Sequence, residues 1–148
     1  MNRLWRFGNR LSRRNGILRK VARVVELVNH VICSCSVSID AEIGERTVFF
    51  HRGIGCVVHP NAKIGSDCKI FQGVTLGSKW SNATCMGDAP HIGNNVMIGA
   101  GAVILGDIYV GDNAIIGANA VVTCDIPDNS VAVGIPVKIK KINCEELK

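Results

Sequence analysis

Aliphatic residues recur at every sixth position along most of this chain. The series are Val37, Ile43, Phe49; then Val58, Ile64, Ile70, Leu76; then Ile92, Ile98, Ile104, Val110, Ile116 and Val122. A six-residue period fits neither the 3.6-residue helix nor the two-residue alternation of a strand. It is typical of a β-helix, in which each short strand points one aliphatic side chain at the axis before the chain turns a corner. The pattern therefore predicts an all-β solenoid.

The composition agrees with a narrow core. The 148 residues are 47% hydrophobic but only 5% aromatic, which suits stacked Ile, Val and Ala, and the length suits one compact domain. Seven cysteines are present, an odd number without C-x-x-C spacing, so reduced thiols are the simplest account. Cys68 falls where the repeat places a small inward residue, and we expect it to pack in the core.

The repeat is interrupted twice. Between Phe49 and Val58 the step is nine residues, and between Leu76 and Ile92 it is sixteen. The second interruption predicts an extruded loop at 78–90, and the first a bulge around His51. Insertions into a regular solenoid are where function is usually carried. After Val122 the six-residue repeat ends. The turn-forming residues Pro127, Gly134 and Pro136 predict a turn and a final strand that close the solenoid.

Residues 1–32 are predicted to form a short basic helical segment of two helices that caps the open end of the solenoid. Residues 1–30 hold eight Lys or Arg and one Glu, so attachment to a membrane surface is the alternative. The solenoid domain is expected over 33–141 and a charged tail over 142–148. Without a recognisable signal peptide or membrane span, the sequence favours a cytoplasmic protein. We expect no nucleic-acid partner.

Histidines border both interruptions. His51 lies in the first and His91 follows the second, and imidazole is the most versatile general base near neutral pH. Zinc binding by His51, His59 and His91 is a competing idea. Their separations of eight and thirty-two residues include no close pair and give it little support, so we expect no metal. Neither a G-x-S-x-G motif nor a P-loop is present.

The runs QGVTLG at 72–77 and DIP at 125–127, the latter followed by GIP at 134–136, carry a family resemblance. Over residues 36–141 the chain resembles the hexapeptide acyltransferases. It is most similar to the serine acetyltransferase-like branch, which includes polysaccharide O-acetyltransferases. The resemblance implies a left-handed parallel β-helix, an exception to the usual right-handed crossover. It also implies a homotrimer that binds acetyl-CoA between neighbouring subunits.

The resemblance also implies residue roles. His51 matches the general base, which takes a proton from the acceptor hydroxyl before the oxygen attacks the thioester. Ala100 and Ala118 match turns that line the pantetheine arm, although a repeat favours small residues at its corners in any case. Thr123 matches a residue near the adenosine end, and Lys141 a basic residue near the CoA phosphates, with Lys138 or Lys140 as substitutes.

Three departures bear on the acceptor. Serine acetyltransferases carry Asp directly before the histidine, where this chain has Phe50. Their Arg-His pair is replaced here by Asp88-Ala89, and their second carboxylate by Ser36. An amino-acid acceptor needs charged partners, so a saccharide hydroxyl is favoured over the serine of cysteine biosynthesis.

Trp80, Asp88 and His91 are the candidate acceptor-binding residues, and an indole such as that of Trp80 stacks readily on a sugar. A metal-dependent hydratase and a non-catalytic trimeric scaffold are the alternatives from other functional classes. Four questions stay open: which hydroxyl is acetylated, which group orients His51, whether the N-terminal helices meet a membrane, and what His59 and His91 do.

Overall fold

The computed structural model describes residues 9, 16–79 and 88–141. Within these residues the chain forms one α-helix, α1, a 3-10 turn and fifteen short β-strands. Helix α1 spans Ile17–Cys33, and the 3-10 turn spans Phe50–Gly53. The strands are β1 (Ser36–Val37), β2 (Glu42–Ile43), β3 (Val48–Phe49), β4 (Val57–Val58), β5 (Lys63–Ile64), β6 (Lys69–Ile70), β7 (Thr75–Gly77), β8 (His91–Ile92), β9 (Met97–Ile98), β10 (Val103–Leu105), β11 (Tyr109–Val110), β12 (Ile115–Ile116), β13 (Val121–Val122), β14 (Ser130–Val133) and β15 (Lys138–Lys141).

Every third strand from β1 to β12 belongs to the same sheet, so the chain winds as a triangular prism. Three successive strands, one in each sheet, make one coil of this prism. Sheet A contains β1, β4, β7, β10 and β13, sheet B contains β2, β5, β8 and β11, and sheet C contains β3, β6, β9, β12, β14 and β15. All pairings are parallel except that of β14 with β15, which ends the solenoid as an antiparallel hairpin. In the fifth coil an isolated bridge, Val110–Ile126, stands in for a strand of sheet B.

The core is built from the two inward positions of each repeat. The predicted aliphatic positions are at most 6% exposed, apart from half-buried Ile43. Two residues before each of them lies a second, mostly smaller inward residue, and Cys68 is one of these, fully buried as expected. Thr47 is the polar member. Its hydroxyl donates to Gly65 O at 2.7 Å and accepts from Cys68 N at 3.1 Å, which satisfies the buried oxygen.

Glycine directly follows several of the inward residues of the repeat, as Gly44 follows Ile43 and Gly65 follows Ile64, and close contact between coils explains why. A Cβ added at Gly44 would lie 2.5 Å from the carbonyl carbon of Gly65 and 2.6 Å from Ser66 N in the next coil. Only a residue without a side chain lets the two backbones approach this closely.

Helix α1 lies at the N-terminal end of the prism and packs on β1. Ala22 and Val25 are buried there, and Arg23 pairs with Asp40 at 2.9 Å. Other apolar residues of the same helix, Leu18, Val21, Val24 and Val28, are 37–59% exposed. The end of a triangular coil is narrow, so it covers one line of the helix surface and leaves the neighbouring apolar positions open.

The first predicted helix, within residues 1–14, lies outside the described residues except for Asn9, whose amide donates to Ile39 O at 2.5 Å. The tail at 142–148 also lies outside them. No helix of the described segments is long and apolar enough to cross a membrane.

We predict that Gly44→Ala lowers the free energy of unfolding by about 1–3 kcal/mol, the usual cost of forcing extra atoms into a packed site. Gly77→Ala is the matched control, because its added Cβ would meet the flexible end of Leu105 at 3.3 Å. Urea unfolding of both variants measures the difference. Equal midpoints for the two would contradict a close backbone contact at Gly44.

Candidate active site

The chain passes from sheet C to sheet A through turns that stack on one another, and we call this edge of the prism the C–A corner. Its turns are residues 50–56, 71–74, 99–102 and 117–120. Backbone hydrogen bonds of 2.9 Å tie each turn to the next: Gly73 N to Ile54 O, Gly101 N to Gln72 O, and Asn119 N to Ala100 O. The first of these turns is the predicted bulge, and it positions His51.

His51 lies in a strained turn. His51 has φ 51° and ψ 36°, Arg52 has φ 60° and ψ 14°, and Gly53 has φ 73°. Two consecutive non-glycine residues in the left-handed region cost about 1–2 kcal/mol each. Hydrogen bonds from Ile54 N to His51 O at 3.3 Å and from Cys56 N to Gly53 O at 2.9 Å close the turn. Strain of this kind persists where the surrounding structure fixes it, which is common at functional sites.

The imidazole of His51 is exposed at this corner. No hydrogen bond links its ring to any residue in the described part of the chain. The preceding residue, Phe50, stacks on Phe71 of the next coil with ring centroids 4.7 Å apart and planes 8° from parallel. Ser36, which matches the family's second carboxylate, lies on β1, and its backbone N–H donates to Cys56 O at 2.8 Å. The described residues therefore hold the backbone of His51 and leave its side chain free to meet a ligand.

Ala100 and Ala118 lie on the same C–A corner, in the two turns farthest from His51. Ala100 is half-buried and Ala118 is exposed, so both leave the backbone accessible. Gln72 occupies the equivalent position in the turn between His51 and Ala100. Its Oε1 is buried and has no hydrogen-bond partner among the described residues, which is unusual for a buried amide. Sequence reasoning missed Gln72 as a site residue, although the signal was present: a polar side chain where the next two turns have alanine.

Thr123 and Lys141 lie toward the C-terminal end of the prism. Thr123 follows β13 of sheet A, and Lys141 ends β15 opposite Ser130 of sheet C. Both side chains are exposed. The four predicted cofactor-binding residues therefore lie in the C-terminal coils, and His51 lies between the first two coils.

His91 lies on a different face. It begins β8 in sheet B, between Lys63 and Tyr109 of the neighbouring strands, in a cavity of about 500 Å³. Asp88 is half-buried just before it, and Trp80 lies outside the described residues. Sheet B is opposite the C–A corner, so one chain does not bring His91 to His51. His59, whose role the sequence left open, makes a contact within its own turn, since its Nδ1 accepts a hydrogen bond from Asn61 N at 3.2 Å.

Neither a metal cluster nor a reactive thiol accompanies His51 in the residues that the structure describes. No three His, Cys, Asp or Glu side chains within 16–79 and 88–141 are grouped to hold a metal ion. Cys56 lies beneath the His51 turn with Sγ 3.2 Å from Phe71 O. Burial raises the pKa of the Cys56 thiol above its usual value, and burial does the same at Cys68. Both thiols therefore stay protonated near neutral pH, so Cys56 does not supply a thiolate nucleophile.

A second cavity, of about 420 Å³, adjoins Phe50 on the outside of sheet C. Val48 and Phe50 form its apolar side, and Arg46, Asp67 and Lys69 its charged side. Arg46 donates from Nε and from Nη2 to the two carboxylate oxygens of Asp67, each at 2.6 Å. These hydrogen bonds lower the pKa of Asp67 below its usual value, so the carboxylate is ionised near neutral pH.

Known proteins share the fold of this chain. The family described as bacterial transferase hexapeptide (six repeats) matches residues 89–124. A serine acetyltransferase of Staphylococcus xylosus is 39% identical over 121 residues, 82% of this chain and 55% of that protein. The putative colanic acid biosynthesis acetyltransferase WcaB of Escherichia coli strain K12 is 42% identical over 103 residues, 69% of this chain and 60% of that protein.

A solved serine acetyltransferase in complex with CoA has a TM-score of 0.80 at 35% identity, over 93% of this chain and 54% of that one. This chain belongs to the hexapeptide-repeat transferases, in their serine acetyltransferase-like branch. As in these hexapeptide-repeat proteins, the solenoid is a left-handed parallel β-helix with one short helix, which confirms the predicted fold. The chain spans little more than half the length of these relatives.

We predict that Cys56 and Cys68 resist alkylation in the folded hexapeptide-repeat domain, because burial both blocks the reagent and disfavours the thiolate. Cys124, which is exposed, is the internal control. Treatment with iodoacetamide at pH 8, followed by peptide mass spectrometry, should modify Cys124 and reach the buried pair only after urea is added. Equal labelling of Cys56 and Cys124 without urea would show that the His51 turn opens freely.

Proposed function

We propose that this chain is an acetyl-CoA-dependent O-acetyltransferase with His51 as its general base. The observation that carries the proposal is the exposed imidazole held by a strained turn on the same corner as Ala100 and Ala118. Related proteins named as acetyltransferases, one of them solved with CoA, support this assignment. The donor is an intracellular metabolite, so the proposal places the chain in the cytoplasm.

His51 acts first on the acceptor. Its imidazole takes the proton of the acceptor hydroxyl as the oxygen forms a bond to the thioester carbonyl carbon. The carbon–sulfur bond then breaks, and the imidazolium returns its proton to the departing thiolate. Backbone N–H groups of the C–A corner are suited to stabilise the negative charge on the carbonyl oxygen between these steps.

We further propose that the site is completed in a homotrimer. The outer positions of sheet A are Ser36, Val57, Thr75, Val103 and Val121, and those of sheet C run from Val48 and Lys69 to Met97 and Ile115. The corresponding positions of sheet B are polar: Glu42, Lys63, His91 and Tyr109. In the C-terminal coils the positions on both sides of the C–A corner are apolar, which supports burying that part of the corner against a neighbouring subunit. Such an arrangement gives acetyl-CoA a slot along Ala118 and Ala100, with Thr123 and Lys141 near its adenosine and phosphate end.

A saccharide is the acceptor that we favour over serine. A zwitterionic amino acid requires a cation for its carboxylate and an anion for its ammonium group. Beside His51 the chain has the hydrophobic Phe50, and before Pro90 it has Asp88-Ala89. The similarity to the colanic acid acetyltransferase supports the saccharide, and the similarity to serine acetyltransferases keeps serine as the second candidate. In the trimer, Asp88, His91 and Trp80 of an adjacent subunit would contribute to acceptor binding.

The first prediction tests the base. We expect His51→Ala to lower kcat about 10²–10⁴-fold, the usual contribution of a positioned general base, with CoA binding and thermal stability retained. His59→Ala is the matched control, because the His59 contact is local to its own turn. Release of CoA from acetyl-CoA in the presence of acceptor gives the rate. Turnover by His51→Ala at the wild-type rate would overturn the mechanism.

The second prediction tests the acceptor. A panel of neutral and acidic oligosaccharides, run beside free serine, should show acetyl transfer to at least one saccharide and a much lower kcat/KM for serine. Mass spectrometry of the product identifies the acetylated molecule. Serine as the preferred acceptor would establish the second candidate, and no turnover together with no CoA binding by calorimetry would contradict the acetyltransferase proposal itself.

A further inference from the structure

We propose that the cavity beside Phe50 on sheet C is a saccharide-binding subsite, in which the ring of Phe50 forms the platform for an acceptor sugar. The inference rests on the proposed acetyl transfer from His51 and adds the place where the acceptor binds. Four observations carry it: the Phe50–Phe71 stack, the cavity, the charged residues that line it and the adjacency of Phe50 to His51.

The platform is rigid and accessible. One face of Phe50 is stacked on Phe71 with the planes 8° from parallel, and the side chain is nevertheless 37% exposed. An aromatic ring that is held on one side and open on the other offers a flat apolar surface at little cost in conformational entropy. The apolar C–H face of a pyranose ring matches such a surface.

The cavity has the size and lining of a ligand site. Its volume of about 420 Å³ lies in the range of about 300–1,000 Å³ that is usual for small-molecule pockets. Val48 continues the apolar side, and Arg46, Asp67 and Lys69 supply donors and acceptors along the rim. A mostly apolar floor with a few polar groups is the arrangement that orients a polyol.

The charges favour a saccharide over a free amino acid. Arg46 and Asp67 already satisfy each other through two hydrogen bonds of 2.6 Å, so neither is an unpaired partner for a zwitterion. The fixed pair presents its remaining N–H groups and oxygen lone pairs to neutral hydroxyls. Lys69 adds one positive charge, which suits a neutral or acidic sugar.

The position of the cavity fits the chemistry. Phe50 is the residue directly before His51, so a sugar on its ring would lie on the side of sheet C that leads to the C–A corner. The cavity extends from Phe50 past Val48 to Arg46. We therefore place an oligosaccharide across sheet C with its reacting hydroxyl at the C–A corner.

The cavity around His91 on sheet B is the rival location. It is larger, at about 500 Å³, and it holds Tyr109, an aromatic side chain that is 49% exposed. Tyr109 stacks on no other aromatic ring in the described residues, where Phe50 and Phe71 form the one stacked pair. The sheet B cavity also lies on the face opposite the C–A corner, so within one chain it does not bring a bound sugar to His51, and His91 contributes to the proposed site only from an adjacent subunit.

Saccharide binding is measured directly, without turnover. Saturation-transfer NMR on the full chain without acetyl-CoA uses cellotriose, maltotriose, lactose and trigalacturonic acid as probes. We expect at least one probe to bind, Phe50→Ala to weaken its binding about tenfold as stacking is lost, and Phe50→Trp to retain it. Phe50→Leu keeps an apolar side chain without a flat face, so it serves if Phe50→Ala fails to fold. Tyr109→Ala and Lys63→Ala probe the rival cavity, and Lys69→Ala probes this one.

The outcomes separate the two proposals. Loss of saccharide affinity in the Phe50→Ala or Phe50→Leu variant, with Tyr109→Ala unaffected, supports the subsite even if CoA does not bind. Unchanged affinity in the Phe50 variants, loss in Tyr109→Ala, or failure of every probe to bind would overturn it. If acetyl-CoA turnover is present and the acceptor KM is unchanged in the Phe50 variants, the subsite alone is wrong and the acetyltransferase proposal stands.

Discussion

The backbone hydrogen bonds between successive coils are the constraint on which the rest of this structure depends. Each strand pairs in parallel with the strand one coil earlier, so Val37, Val58, Leu76, Ile104 and Val122 form one continuous column in sheet A. A residue that breaks the spacing in one coil disturbs the coils on both sides of it. Extra residues are accommodated only where the ladder is already interrupted, at the corners. The insertion at His51 lies at a corner for that reason, between β3 and β4.

The same ladder supports the strained turn at His51. A run of left-handed residues would relax in a free loop, but here Phe50 at the start of the turn stacks on Phe71, and hydrogen bonds hold the end of the turn. Gly55 N donates to Ser34 O at 2.9 Å, and Ile54 O accepts from Gly73 N. The core below supplies the free energy that the strained residues cost. The turn thus fixes the backbone position from which the imidazole projects, and a fixed position is what a catalytic base requires.

The corner also connects the chain to its relatives and separates it from them. The solenoid is shared with the serine acetyltransferases. In the proposed site, Ala100 and Ala118 line the donor slot, and Phe50 stands directly before the base where the resemblance leads one to expect Asp. Because Phe50 is stacked on Phe71, the surface beside His51 is apolar, and this surface is the basis for proposing a saccharide as the acceptor.

The sequence alone determined the solenoid, its core positions and the bulge at His51, because a six-residue period is local and each repeat faces the same environment. It also located the last strands and the inward position of Cys68, whereas the predicted loop at 78–90 lies mostly outside the described residues. Tertiary structure decided the rest. The burial of the Gln72 amide, the stacking of Phe50 on Phe71 and the separation of His91 from His51 all depend on which turns lie above one another. Helix α1 shows the same limit, since its apolar positions were visible in the sequence, but the narrow end of the prism decided which of them are buried. Contacts between coils join residues that are far apart in the chain, and a local sequence pattern does not predict such contacts.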